Sequence, residues 1–290
     1  MRFERLYNRD EEVDQILGYL VDRTADVFGE RVSAVYVTGS LAYGDFIPGK
    51  SDIDGFLFFD REISEEDLDD YRTVISAVEK ICPAYEGKIL DHPVSTAILG
   101  DRRKLEEVLG FVNLTSLIQS GKLIYGREII MSVKPPTRWE LDTYMAHDVA
   151  DILNRRSDRI PCVLEEGSNS ASGNWEGVQA LVDWLIYPAR VLYTMKTGRI
   201  GSKKAAVVHY GLLHDDIYNV WLEEAMRLRG EKRDTLPENQ LHPLMQVTVD
   251  FFWHLVNVIQ ARMGLVRKGE EEVYAPAEAV NRFRRLLDVA

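Results

Sequence analysis

Positive charge is what this sequence has too little of. Its 290 residues hold 35 lysines and arginines against 47 aspartates and glutamates, a formal net charge of −12. That deficit argues against a polymerase or other nucleic-acid partner, which needs a basic track for phosphates. It suits a small or cationic partner, because a negative cleft attracts cations. Cysteine is almost as scarce: Cys82 and Cys162 are the only two, and neither has metal-ligand spacing. A thiolate metal centre and a disulfide scaffold are thereby excluded. One bridge between the two is still open, but two reduced thiols in a cytoplasmic protein is the expectation. No apolar run approaches the ~20 residues that span a bilayer, and the opening Met1-Arg-Phe-Glu-Arg5 lacks a signal-peptide core. Neither an internal repeat nor a low-complexity tract occurs. What remains is 46% apolar and 28% charged residues, the make-up of a soluble globular chain long enough for one large or two ordinary domains.

The stretch from Val35 to Phe59 carries the chemistry. An apolar strand, Val35 to Val37, runs into a turn at Gly39-Ser40. A loop punctuated by glycine and proline follows. The chain then enters a second strand with Asp52 and Asp54 two residues apart, followed by the apolar run Phe56 to Phe59. Strand side chains alternate, so both carboxylates leave on one face. Two carboxylates that close do not both ionise cheaply without a cation. A hard divalent ion with oxygen ligands, Mg²⁺ above all, fits such a pair and retains room for substrate phosphates. Gly39 lets the backbone approach closely, and N–H groups after a turn favour an anion. Together the two halves read as a cradle for a metal–triphosphate. An ordinary strand–turn–strand with a surface Asp-x-Asp is the bland alternative.

Along the rest of the chain, apolar residues at Val13, Ile16, Leu17, Leu20, Val21 and Phe28 have helical spacing and Gly29 is a stop. Ser64 followed by an acidic turn opens a helix that Pro83 ends. Lys88 to Leu99 is a third strand. Asp101 to Leu109 and Asn113 to Gln119 are short helices, and Lys122 to Gly126 is a short strand. Helices around a small mixed sheet make the first half α/β or α+β. Pro135-Pro136 marks a boundary, giving domains of residues 1–135 and 136–290. The second reads as all-helical: Thr137 to Arg155, Gly177 to Thr197, Ser202 to Leu213, Asp216 to Arg229, Gln240 to Gly264 and Pro276 to Val289. The acidic stretch Glu165 to Asn174 is a loop and the one lid candidate. Pro188 either kinks its helix or opens a new one.

Gly-Ser, eleven residues, then Asp-x-Asp between apolar strands resembles the signature of the nucleotidyltransferase superfamily with the DNA polymerase β-type fold. Leu90-Asp91, opening the segment from His92 to Leu99, is similar to the Leu-Glu-Val-Thr segment of the streptomycin/spectinomycin adenylyltransferases, with Asp in place of Glu. Ala189 to Ala206 is similar to the C-terminal helical domain of the same family, with its Arg, Tyr, Thr-Gly-Lys-Ile and Lys-x-x-Ala-Ala elements. The resemblance implies an aminoglycoside adenylyltransferase of the antibiotic-resistance type that uses ATP and Mg²⁺. Asp52, Asp54 and Asp91 would be catalytic and metal-binding, with Asp91 as general base. Gly39 and Ser40 would hold the terminal phosphates. Arg190 and Lys203 would contact the nucleotide, with Lys203 nearest the triphosphate. Asp91 reads equally well as a surface residue leading a strand. The acceptor would be a small hydroxylated compound between the domains, with the acid-rich helix from Glu140 to Asp151 as a wall or a solvated face.

One departure bears on the acceptor. The family places an acid in a Trp-x-Gly-Asp context before the Arg to read the cationic antibiotic, whereas this chain has Trp175-Glu-Gly-Val178. Glu176 and Asp183 are out of register with the missing acid. Streptomycin, with its guanidino groups, is therefore a poor acceptor by expectation. Trp175 and Trp184 either stack on the acceptor or belong to the core. The other reading of the chain is a nucleotide-binding regulator, or a transferase acting on a protein hydroxyl as in toxin–antitoxin pairs. The compact helical second half and the lack of a disordered partner tail argue against it.

Overall fold

The computed structural model describes residues 11–89, 92–152, 177–231 and 235–264. The chain divides into two compact units, Met1–Pro136 and Thr137–Ala290.

In the first unit α1 (Glu11–Phe28) buries Val13, Ile16, Leu17, Leu20, Val21 and Phe28, the spacing that one helix face requires. β1 (Val32–Val37) follows, then the short helix α2 (Gly39–Tyr43). β2 (Gly55–Phe59), α3 (Glu65–Ile81), β3 (His92–Ser95), α4 (Arg102–Leu109), α5 (Phe111–Ser120) and β4 (Lys122–Gly126) complete the unit. The sheet order is β3-β2-β1-β4. β1 is antiparallel to both β2 and β4, and β2 and β3 are parallel, so the sheet is mixed. Val35, Val37, Leu57 and Phe59 point into a core with α1 and α3. Tyr36, Phe56 and Phe58 point into another with α4 and α5. Cover on both faces explains why β1 and β2 read as unbroken apolar runs.

Two elements differ from the sequence reading. The strand expected over 88–99 contracts to His92–Ser95, because the Ser95 hydroxyl accepts the Ala97 N–H and turns the chain into a 3₁₀ segment at Thr96–Ile98. Pro93 sits in this edge strand, where its missing donor costs least. α3 starts as its acidic first turn requires: Ser64 and Asp67 form a reciprocal capping box.

The second unit is helical among the described residues: α6 (Arg138–Asp151), α7 (Val178–Thr197), α8 (Lys203–Leu213), α9 (Ile217–Gly230) and α10 (Glu238–Gly264). Pro188 lies inside α7, which continues through it, so it opens no new helix. Leu181, Leu185, Ile186 and Ala189 of α7 pack with Val207, Tyr210, Leu222, Ala225 and Phe251 as the core. The expectations for Glu165 to Asn174, Trp175, Glu176, Cys162 and the helix Pro276 to Val289 fall outside the described residues. Cys82 is a free, buried thiol that donates to Glu12. None of the described helices is long and apolar enough to cross a membrane.

Candidate active site

The end of β1 and the start of β2 are tied together where the two motif halves meet. The Thr38 N–H donates to the Asp54 carbonyl at 2.9 Å, continuing the β1–β2 ladder one step beyond the strands. Ile53 is fully buried and bridges in parallel to Ile89, and its N–H donates to the Lys88 carbonyl at 2.7 Å. Asp52 and Asp54 flank this inward residue but precede β2 rather than lying on it, because the regular ladder begins only at Gly55; Asp52 is exposed and Asp54 partly buried. Gly39 has φ of +59°, and a Cβ built on it would lie 1.9 Å from Asp54 Oδ2. Glycine is thus needed twice at position 39, for the left-handed backbone and for the room that the carboxylate takes. The two halves of the motif are in direct contact through this pair.

The intervening loop is anchored rather than slack. The Lys50 and Ser51 N–H groups donate to the Ile47 carbonyl, and the Ser51 hydroxyl accepts the Ile47 N–H. Gly49 N–H donates to the Tyr85 hydroxyl at 2.9 Å, and Phe46 stacks on the Tyr85 ring. This closure returns the chain from Ser40 to Asp52 without a long free segment. Ser40 lies in the first turn of α2, and its carbonyl accepts the Gly44 and Asp45 N–H groups. Asp91 lies outside the described residues. Its neighbour His92 pairs with Phe56 of β2. Among the described residues no three His, Cys, Asp or Glu side chains group as a metal site. The pair Asp52 and Asp54 offers hard oxygen donors only, which fits Mg²⁺ and not a softer metal.

In the second unit, Arg190 and Lys203 come together as their spacing implied. Gly198 takes the left-handed cap of α7 with φ of 76°, and the Ser202 hydroxyl caps α8 by accepting the Ala205 N–H. That turn folds α8 back along α7, and Arg190 Nε donates to the Gly201 carbonyl at 3.2 Å. Lys203 Nζ donates to Asp183 Oδ2 at 2.6 Å, and Arg229 Nε stands 3.6 Å from Asp183 Oδ1. Two cations therefore hold one carboxylate, and Arg190 stands close enough to Lys203 to act on its charge. Burial lowers the Lys203 pKa; Asp183 offsets this, while Arg229 and Arg190 add to the lowering. A cluster with excess positive charge favours an incoming anion. Reasoning from sequence missed Arg229 altogether and treated Asp183 only as a stand-in for an antibiotic-reading acid. Both are set by α7–α9 packing, for which no local motif exists.

The acids of α6 divide into distinct tasks. Glu140 closes a capping box with Thr137. Asp142 is buried and accepts from Arg262 Nη2 at 2.6 Å and Nε at 2.9 Å, with Arg138 Nε at 3.4 Å, which clamps α6 to α10. Asp148 Oδ2 accepts the Tyr187 hydroxyl of α7 at 2.5 Å. Trp184 lies 6.2 Å from the Tyr187 ring and 6.0 Å from Phe252, and Tyr187 stacks on Phe252.

Residues 13–95 match the family model described as a nucleotidyltransferase domain. No curated protein matches the sequence. Among solved structures, the chain is similar to spectinomycin adenyltransferase AAD(9) from Enterococcus faecialis, determined with ATP and spectinomycin. The TM-score is 0.55 at 12% identity, over 87% of this chain and all of that one. At that identity the likeness speaks for the fold. Residues 13–95 thus match a nucleotidyltransferase domain, and the fold of the chain is similar to that of the spectinomycin adenyltransferase.

Proposed function

We propose that this enzyme moves AMP from ATP to a hydroxyl group of a small, aminoglycoside-like acceptor and releases pyrophosphate. The observation that carries the reading is the contact between Asp54 and Gly39, which sets a carboxylate pair against the Gly39-Ser40 turn inside a nucleotidyltransferase domain. A structurally similar protein was solved with ATP and spectinomycin, which supports both the nucleotide and the acceptor class.

Asp52 and Asp54 hold Mg²⁺, which when bound neutralises charge on the triphosphate. Gly39 and Ser40 hold the terminal phosphates. Arg190 and Lys203 add cationic contacts to the nucleotide, the guanidinium as a planar donor and the ammonium, held by Asp183, as a point charge. The acceptor oxygen attacks the α-phosphorus, and the bond from that phosphorus to the bridging oxygen of the β-phosphate breaks. Asp91 takes the acceptor proton as general base. The chain contributes mainly positioning and electrostatic stabilisation of the departing pyrophosphate.

The test has two parts. Calorimetry reads ATP affinity with and without Mg²⁺, and mass spectrometry reads AMP added to a panel of hydroxylated aminocyclitols. Tighter binding of Mg·ATP, abolished by Asp54→Asn without unfolding, is the expected result. Equal ATP affinity with and without the metal refutes the reading.

A further inference from the structure

One stripe of α7 carries Asp183, Trp184, Tyr187 and Arg190, all only partly buried in a helix whose other faces form the core. Positions i, i+1, i+4 and i+7 share a helix face, so these side chains form one surface. Its cationic part is the Arg190, Lys203 and Arg229 group described above. The other part is Asp148 from α6, hydrogen-bonded to Tyr187, whose ring packs against Trp184.

Asp148 is the unusual member. Glu140 caps a helix and Asp142 is neutralised by Arg262 and Arg138, but Asp148 forms no ion pair among the described residues. It accepts one hydrogen bond, from the Tyr187 hydroxyl. A hydrogen bond joining two helices needs only a neutral acceptor, and a carboxylate held on Tyr187, whose ring packs with Trp184 and Phe252, is a costly way to make one. The phenol orients the carboxylate and leaves Oδ1 for another partner. Burial, reinforced by the Asp148 charge and hydrogen bond and opposed by the Arg190 charge, holds the Tyr187 hydroxyl well above its ordinary pKa, so it stays a donor. An oriented carboxylate with no direct ion pair among the described residues, next to a partly exposed phenol that packs on an indole, is an arrangement that recognises an ammonium group.

We propose that Asp148, oriented by Tyr187 with Trp184 next to that ring, is the acceptor-recognition acid of this enzyme and binds an ammonium group of an aminocyclitol. It sits on a different helix from Val178, where the family's guanidino-reading acid is absent, and reads a different group. The proposal rests on the adenylyl-transfer reading and names the acceptor's charge and the residue that reads it.

The experiment titrates the full chain with Mg·ATP and, separately, with spectinomycin, streptomycin and uncharged myo-inositol by calorimetry. Wild type, Asp148→Asn, Tyr187→Phe and Trp184→Phe are compared, with thermal melting alongside. Asp148→Asn keeps an acceptor for the Tyr187 hydroxyl and removes only the charge. It is expected to weaken spectinomycin at least about ten-fold, equivalent to about 1.4 kcal/mol, with Mg·ATP affinity and melting temperature held. Trp184→Phe should weaken spectinomycin several-fold, and Tyr187→Phe should lower the melting temperature more than the affinity. A purely structural role for Asp148 would instead leave spectinomycin affinity unchanged in Asp148→Asn, and that result overturns the proposal. So does inositol binding as tightly as spectinomycin, or failure of both cationic aminocyclitols to bind wild type. Loss of the Mg²⁺ dependence of ATP binding in wild type would instead refute the transfer reading, so the two failures are told apart.

Discussion

Alanine at position 39 isolates the contact that joins the two halves of the active-site motif. Gly39 has φ of +59°, so alanine there carries the left-handed penalty of about 1–2 kcal/mol. The new methyl would also stand 1.9 Å from Asp54 Oδ2, 2.8 Å from Cγ and 3.1 Å from Cβ. Asp54 is held at its backbone, where its carbonyl accepts the Thr38 N–H, so the side chain must move. It has to retreat by at least about 1 Å to reach ordinary contact, and a misplacement of that size costs on the order of 10²-fold in rate. Gly44→Ala is the matching control: φ is +80° there, and nothing lies within 4 Å of the added methyl. Both variants should lose about 1–2 kcal/mol in urea unfolding, since both adopt the same kind of backbone. Only Gly39→Ala should also lose Mg²⁺-dependent ATP binding, read by calorimetry, and turnover. Wild-type Mg·ATP affinity in Gly39→Ala, or an equal loss in Gly44→Ala, would show that the Gly39–Asp54 contact does not organise the site.

Other outcomes follow from the same structure. Asp91→Ala should lose about 10²–10⁴-fold in turnover while nucleotide binding is retained; a variant with wild-type turnover would place the base elsewhere. Asp67, fully buried, is raised in pKa by burial but lowered more by the Ser64 hydrogen bonds and the Arg61 and Arg31 charges, for a net depression. A depressed folded pKa gives stability that is present above the unfolded value of about 3.9 and lost as pH falls through the folded one. Asp67→Asn should therefore cost about 1–3 kcal/mol near neutral pH and flatten the acid limb of a stability–pH curve; an unchanged limb would remove Asp67 from that role. With ATP and Mg²⁺, spectinomycin should be adenylylated faster than streptomycin, because the guanidino groups lack the paired acid that Val178 displaces. The reverse order in a side-by-side assay would show that another carboxylate serves them.

The sequence by itself determined what rests on local chemistry. The Gly39-Ser40 and Asp52-x-Asp54 spacing marked the motif, and the run of buried residues in α1 followed from a period that any helix obeys. The capping boxes at Ser64 and Thr137 and the Gly198–Ser202 turn are likewise written in a few adjacent residues, because caps satisfy backbone groups within one turn. Pairing across the fold was decided by tertiary structure. The strand over 88–99 ended early because a Ser95 side chain competed for the backbone, and Pro188 stayed within α7 where surrounding core residues hold the helix. Asp183, Arg229, Asp148 and Tyr187 carry no local signature at all. Their roles come from which helix lies against which: Lys203 meets Asp183 across α7 and α8, and Asp148 meets Tyr187 across α6 and α7. A charge in a sequence has a sign but no partner, and only packing supplies the partner that makes it a clamp, a latch or a binding group.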